Sequence, residues 1–216
     1  MVKATGTADD LGALSDESLM GRYRESARAE DFDELVHRYE KELYRYLARY
    51  LGNAALAEDV FQNTFLQVHL KRALYEDGRP VKPWLYSIAT HQAVDALRKA
   101  GRHPTVSLDR RRADGESGGE ADPGALIDLL VSDTPGPLAE LQGEERRDWV
   151  KQSIARLPDA LRQTLILAYF DDLKYREIAE IQKIPVGTVK SRLHAALAKL
   201  QEMAATRHPD GNGSLP

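Results

Sequence analysis

Cysteine is absent from all 216 residues. That absence excludes disulfide staples, thiol redox chemistry and cysteine-ligated zinc. Long apolar runs are missing too, since none approaches the roughly 20 residues that a bilayer-spanning helix needs. The N-terminus carries Asp9 and Asp10 and no apolar core segment, which is not the form of a secretory signal. A cytoplasmic protein without membrane insertion is the expectation. Nor does the chain hold a phosphate-cradling or dinucleotide-type glycine motif, or His-Glu-x-x-His. Its six histidines, His37, His69, His91, His103, His194 and His208, lie too scattered for a ligand set. No metal, no cofactor and no enzymatic centre are therefore expected.

The net charge of −4 is unevenly spread. From Lys151 to Arg207 there are ten Lys or Arg against six Asp or Glu; from Asp109 to Asp148 there are five against eleven. Local charge decides what a surface binds, so an acidic middle does not disqualify a basic C-terminal part from meeting DNA.

The most informative stretch runs from Leu157 to Leu200. Tyr175, Ile178 and Ala179 recur at i, i+3, i+4, predicting a short amphipathic helix with that face buried. Gln182 to Pro185 interrupts it, and Pro185 suits the opening of a second helix. There Val189, Leu193, Ala196 and Leu200 form the stripe to be buried. Gly187, Thr188, Lys190, Ser191, His194 and Ala195 occupy the opposite arc, which is small, polar and cationic. Two short helices of this kind fit a helix-turn-helix entering a major groove, with Lys190 and Arg192 placed for phosphates or guanine edges. An ordinary helical hairpin in a core has the same periodicity.

The string Pro185-Val186-Gly187-Thr188-Val189-Lys190-Ser191-Arg192-Leu193, preceded by Tyr175-Arg176-Glu177-Ile178-Ala179, resembles region 4 of bacterial sigma factors of the extracytoplasmic-function (ECF) group. The resemblance implies that Arg176, Gly187, Thr188, Lys190, Ser191, Arg192 and His194 contact a minus-thirty-five element. Family members often have Gly where this chain has Lys183 and Asp172, and Arg where it has Ala195.

Upstream, residues 1–14 show little periodicity and suit a loose terminus. Ser15 is a candidate N-cap, followed by Asp16 and Glu17 and by the apolar side Leu19, Met20, Tyr23. Phe32, Leu35, Tyr39, Leu43, Tyr46 and Tyr50 then repeat over about five turns, and a tyrosine stripe at that spacing is read as core with hydroxyls at its edge. Gly52 and Asn53 suit a left-handed helix end. The next helix, about 54–74, turns Phe61, Phe65 and Val68 inward, while Asp59, Gln62, Leu66 and His69 share another face. An apolar residue among polar ones suggests docking; a solvated face with one stray leucine is the plainer alternative. A loop with Gly78 and Pro80 precedes a helix opened by Pro83. Its far end, Arg98, Lys99, Arg102 and His103, forms a positive surface with Arg79 and Lys82.

Two more strings resemble the same family. Ala57-Glu58-Asp59-Val60-Phe61-Gln62-Asn63-Thr64-Phe65-Leu66 is similar to the segment that grips the clamp helices of the largest RNA polymerase subunit, implying that Asp59, Gln62, Asn63 and Leu66 bind the core enzyme. An acid usually stands at Asn63. The run from Pro83 to Arg98 is similar to the part of sigma region 2 that opens the minus-ten element, implying DNA contacts by Arg79, Lys82, Trp84, His91, Arg98, Lys99 and Arg102. Asn is frequent at His91.

Between these parts, residues 104–143 hold many acids with repeated Gly and Pro and read as a linker, interrupted by the apolar island Leu126 to Val131. The expected organisation is all-α: residues 15–103 as sigma region 2, a flexible acidic linker over 104–143, residues 144–204 as region 4, and a polar tail over 205–216. The resemblance implies a subunit that joins core RNA polymerase, directs initiation at promoter DNA and is held by an anti-sigma factor. A stand-alone helix-turn-helix regulator binding duplex DNA without polymerase is the main alternative. A protein that sequesters a regulator is another.

Overall fold

A computed structural model describes residues 11–101, 139–171 and 173–207, with side chains from Asp148 onward in the second stretch. Residues 104–138 of the expected linker, its apolar island, Arg102, His103, Asp172, the first ten residues and the tail beyond Arg207 lie outside the described residues. Among the described residues there is no strand.

Helix α1 (Asp16–Ser26) starts where Ser15 Oγ accepts from the Ser18 N–H at 3.2 Å, and it buries Leu19, Met20 and Tyr23. Helix α2 (Ala29–Leu51) buries Leu35, Tyr39, Leu43, Tyr46 and Tyr50 along one side. Each fully buried leucine, such as Leu43, contributes about 2 kcal/mol through removal from water. Gly52, at φ 63°, ends α2, and Asn53 begins α3 (Ala54–Lys71), its Oδ1 accepting from the Leu56 N–H at 2.9 Å. A short 3₁₀ turn over Arg72–Leu74 follows. Helix α4 (Val81–Lys99) starts two residues earlier than its proline suggests. Pro83 then occupies the first turn, where no intrahelical N–H partner is lost. Helices α1 to α4 make the first bundle.

The second bundle comprises α5 (Ala139–Arg156), α6 (Asp159–Tyr169), α7 (Tyr175–Gln182) and α8 (Val186–Arg207). Helix α5 extends into the stretch expected to be linker. Gly143 costs about 1 kcal/mol there, and helix-favouring Ala139, Glu140, Leu141 and Gln142 offset it. Lys183, at φ 54° and ψ 46°, forms the left-handed turn after α7, and Pro185 stands just before α8. Its carbonyl accepts from the Thr188 and Val189 N–H groups at 2.9 and 3.2 Å. The stripe Val189, Leu193, Ala196, Leu200 is buried as expected. Tyr175 is not: as the first residue of α7 it projects off the helix end and stays 41% exposed, while Ile181 joins Ile178 and Ala179 in the core.

The two bundles touch. Helix α4 packs against α7, and α2 against α6. Tyr46 makes the seam explicit, since its hydroxyl meets Thr90 Oγ1 at 2.8 Å and accepts from Gln163 Nε2 at 3.4 Å. The Tyr46 hydroxyl thus lies at the edge of one bundle and inside the joint surface, while that of Tyr39 stays within the first bundle, donating to Asp16.

Candidate nucleic-acid interface

Region by region, the structure distributes the expected site residues unevenly. Asp59, Gln62, Asn63 and Leu66 are all exposed on α3. Gln62 Nε2 donates to Glu58 Oε1 at 3.0 Å, and Asn63 Nδ2 donates to the Asp59 carbonyl at 2.8 Å, so the Asn63 amide lies along its own helix. Leu66 is 52% exposed, and Leu70 and Leu74, more exposed still, continue its row. Their spacing of i, i+4, i+8 is visible in the sequence. His69 is exposed as well, but its Nδ1 meets the Tyr23 hydroxyl and so turns toward α1.

The cationic surface around α4 divides into two. Arg98 and Lys99 stand exposed at the helix end, Arg98 pairing with Asp95 at 3.0 Å, and His91 is exposed with Nδ1 against the Ser87 carbonyl. Arg79 and Lys82 are instead engaged by the second bundle. Arg79 pairs with Glu180 of α7; Lys82 Nζ donates to the Asp171 carbonyl at 3.2 Å and lies 3.3 Å from Glu42. Trp84 corrects an expectation: it is buried edge-to-face against Tyr75, ring centres 5.3 Å apart, because the four-residue repeat of α4 aims it into the first bundle. Its place is behind the surface, under the loop carrying Arg79.

Asp171, just after α6, is the most perturbed acid of this seam. Burial pushes its carboxyl up to about 7, with Glu42 adding to the rise and Lys82, Arg49 and the Tyr86 hydrogen bond opposing it. The Tyr86 hydroxyl is likewise pushed up, first by burial and then by the Asp171 charge.

On α8, Gly187, Lys190, Ser191, His194 and Ala195 are exposed and Thr188 half-buried, while Arg176 is exposed on α7. Arg192 departs from this set. Its Nη1 donates to Gln182 Oε1 at 3.3 Å, and Gln182 in turn bonds Gln163 and Thr164 at 2.9 and 3.0 Å. That guanidinium joins α8 to α7. Beside it Tyr169, Tyr175, Leu193 and Leu197 line a shallow recess of about 280 Å³, rimmed by Lys190 and His194. Small residues, the Lys190 ammonium and an uncovered helix N-terminal half can lie close to a duplex and meet both phosphates and base edges. Among the described residues no cluster of acids and histidines could hold a metal, and no helix is long and apolar enough to cross a membrane.

Comparisons with known proteins converge on one family. Residues 35–103 match the model for Sigma-70 region 2, and residues 147–200 that for Sigma-70, region 4. The ECF RNA polymerase sigma factor SigW of Bacillus subtilis (strain 168) is 33% identical over 171 residues, covering 79% of this chain and 87% of the relative. The ECF RNA polymerase sigma-E factor of Escherichia coli (strain K12) is 31% identical over 185 residues, 85% of this chain and 91% of that one. In fold, the chain is similar to CnrH solved in complex with the cytosolic domain of CnrY (TM-score 0.60, 20% identity, 88% of this chain and 97% of that one). It is also similar to the sigma factor RpoE of Bartonella quintana in complex with the anti-sigma factor NepR (TM-score 0.57, 23% identity, 82% and 98%). With both sigma-70 regions matched in order and full-length relatives above 30% identity, the chain belongs to the ECF RNA polymerase sigma factors of the sigma-70 family.

Proposed function

We propose that this ECF sigma factor, which binds core RNA polymerase and directs promoter-specific initiation, divides its work between the two bundles. Asp59, Gln62, Asn63 and Leu66 of α3 dock on the clamp helices of the largest polymerase subunit. Arg79, Lys82, His91, Arg98, Lys99 and Arg102 hold the opened minus-ten element, with Trp84 supporting the loop from behind. Arg176 with Gly187, Thr188, Lys190, Ser191 and His194 reads the minus-thirty-five element, and Arg192 braces the helix pair. The carrying observation is the exposed arc of α8, small and cationic, on a helix-turn-helix whose opposite stripe is fully packed. The protein does no covalent chemistry of its own. An anti-sigma factor holds it inactive, as the solved sigma and anti-sigma pair of similar fold suggests by analogy.

Transcription in vitro with core polymerase on fragmented genomic DNA from the host tests this. Discrete starts are expected from the wild type, with loss in Gln62→Ala through polymerase binding and in Lys190→Glu through promoter binding. Specific duplex binding without polymerase, and no transcripts, would favour the stand-alone regulator.

A further inference from the structure

Gln182, the last residue of α7, ties three helices of region 4 together through one amide. Its Oε1 accepts from Arg192 Nη1 of α8 at 3.3 Å and from Thr164 Oγ1 of α6 at 3.0 Å. Its Nε2 donates to Gln163 Oε1, also of α6, at 2.9 Å. Gln163 and Thr164 are both buried, so the amide is anchored from the inside. Its orientation is fixed from the outside: a guanidinium carries only donors, so Arg192 meets the amide oxygen and not the nitrogen. Thr164 does not depend on Gln182, because its hydroxyl also reaches the Ala160 carbonyl at 2.7 Å and has one proton for the two acceptors. Arg192 is therefore the partner that Gln182 Oε1 chiefly serves, in a hydrogen bond strengthened by the charge of its donor.

Arg192 stands at an edge of the arc that faces DNA. It follows Thr188 by four residues and precedes Ala195 by three, so the three share one side of α8, with Ala195 exposed and Thr188 and Arg192 half-buried. Turned outward, a guanidinium at that edge would meet phosphates at the rim of the groove. Here it turns back to α7. We propose that Gln182 is a positioning residue that holds Arg192 inward, keeps one cation off the phosphate backbone and so lowers the affinity of the recognition helix for DNA of any sequence. This rests on the assignment of the α8 arc to the minus-thirty-five element made above. Releasing Arg192 would give up an oxygen fixed by two buried side chains in exchange for a rim contact that salt screens. The gain from holding it is functional. A phosphate contact strengthens binding to every sequence alike, and random sites in a genome vastly outnumber promoters. Each cation withheld therefore leaves more of the chain off random DNA and available to polymerase.

The probe is a fluorescein-labelled duplex of random sequence, titrated with the full chain over a salt series. Gln182→Met removes the acceptor and keeps an unbranched, helix-favouring side chain of similar length. Its log affinity should fall against log salt with a slope steeper by about one, so that the loss between about 50 and 200 mM salt grows about three- to fourfold. Gln182→Met combined with Arg192→Ala should return to the wild-type slope. Gln182→Glu, which keeps an acceptor for the guanidinium, should hold the wild-type slope as well. A brace that serves stability alone would lower the melting temperature of Gln182→Met and leave the slope unmoved, and that result would overturn the proposal. So would a steeper slope that persists in the double variant. Arg192→Ala alone leaves position 182 intact and supplies a second check. An unchanged slope is expected; a fall of about one would place the guanidinium on phosphates in the wild type and end the withholding role. Transcription with core polymerase on genomic fragments, run in parallel, reports on the sigma reading separately: absent starts in the wild type would remove that reading without altering the random-duplex slopes.

Discussion

Tyr86 Oη donates to Asp171 Oδ1 at 3.3 Å across 85 residues of sequence and between two bundles. The pair binds a helix of region 2 to a corner of region 4, and Oδ2 of the same carboxylate makes no hydrogen bond within the protein. A buried acid with one oxygen unsatisfied is disfavoured as an anion. The joint between the bundles therefore carries a titratable weakness.

The sign of its effect follows from the pKa. Burial raises the Asp171 carboxyl from its ordinary 3.8 to about 7 in the docked arrangement; Lys82 and Tyr86 of α4 and Arg49 and Glu42 of α2 face it there. Between those values the docked form holds a proton that the opened form has lost. Docking is thus favoured at low pH, weakens as pH rises toward about 7 and levels off above. Energy transfer between dyes on Asp33→Cys and Lys199→Cys, exposed positions on the two bundles of a chain without cysteine, should fall over that window, and the slope should be flattened by Asp171→Asn in the same background. An equal slope in both would assign the titration to another group.

Lys183 at φ 54° occupies a conformation that costs a non-glycine residue about 1–2 kcal/mol. Lys183→Gly should raise the melting temperature by about 2–4 °C, with promoter-directed transcription unchanged. Gly52→Ala tests the converse. A Cβ there would meet nothing within 4 Å, so a loss of about 1 kcal/mol reports the backbone alone. Calorimetry on both variants checks the pair.

Local signals made much of this fold legible. Ser15 and Asn53 cap helices, Gly52 ends one, and the α8 stripe packs as its period requires, because each depends on neighbours within one turn. Four placements were not legible. Trp84 shares its helix with exposed cations and still packs inward, Tyr175 fits the apolar period but projects from a helix end, and Arg192 reads as a DNA contact yet reaches Gln182. Arg79 and Glu180, 101 residues apart, meet only once two bundles are in register. Periodicity says which side of a helix is wet before any partner arrives; it does not say what then covers it.

Leu66, Leu70 and Leu74 form an exposed row, so substituting them should leave stability near wild type. Leu66→Asp should weaken binding to core polymerase about tenfold or more, the size of an interface anchor, in competition with a labelled wild-type chain. If Leu70→Asp does the same, the docking surface runs along the whole row. If it binds as wild type does, the interface ends within one turn of Leu66.

Lys190 and Arg192 separate contact from support. Lys190 is exposed on the outer arc of α8, whereas Arg192 is half-buried and hydrogen-bonded to Gln182. Measured with holoenzyme on promoter DNA over a salt series, Lys190→Ala should weaken binding and reduce the slope against log salt by about one, as loss of a single phosphate contact does. Arg192→Ala should leave that slope unchanged and instead lower the melting temperature, because removing the guanidinium deprives Gln182 of a partner while Gln163 and Thr164 retain theirs. A reduced salt slope in Arg192→Ala would move that guanidinium onto the DNA in the bound state and make its bond to Gln182 a property of the free chain.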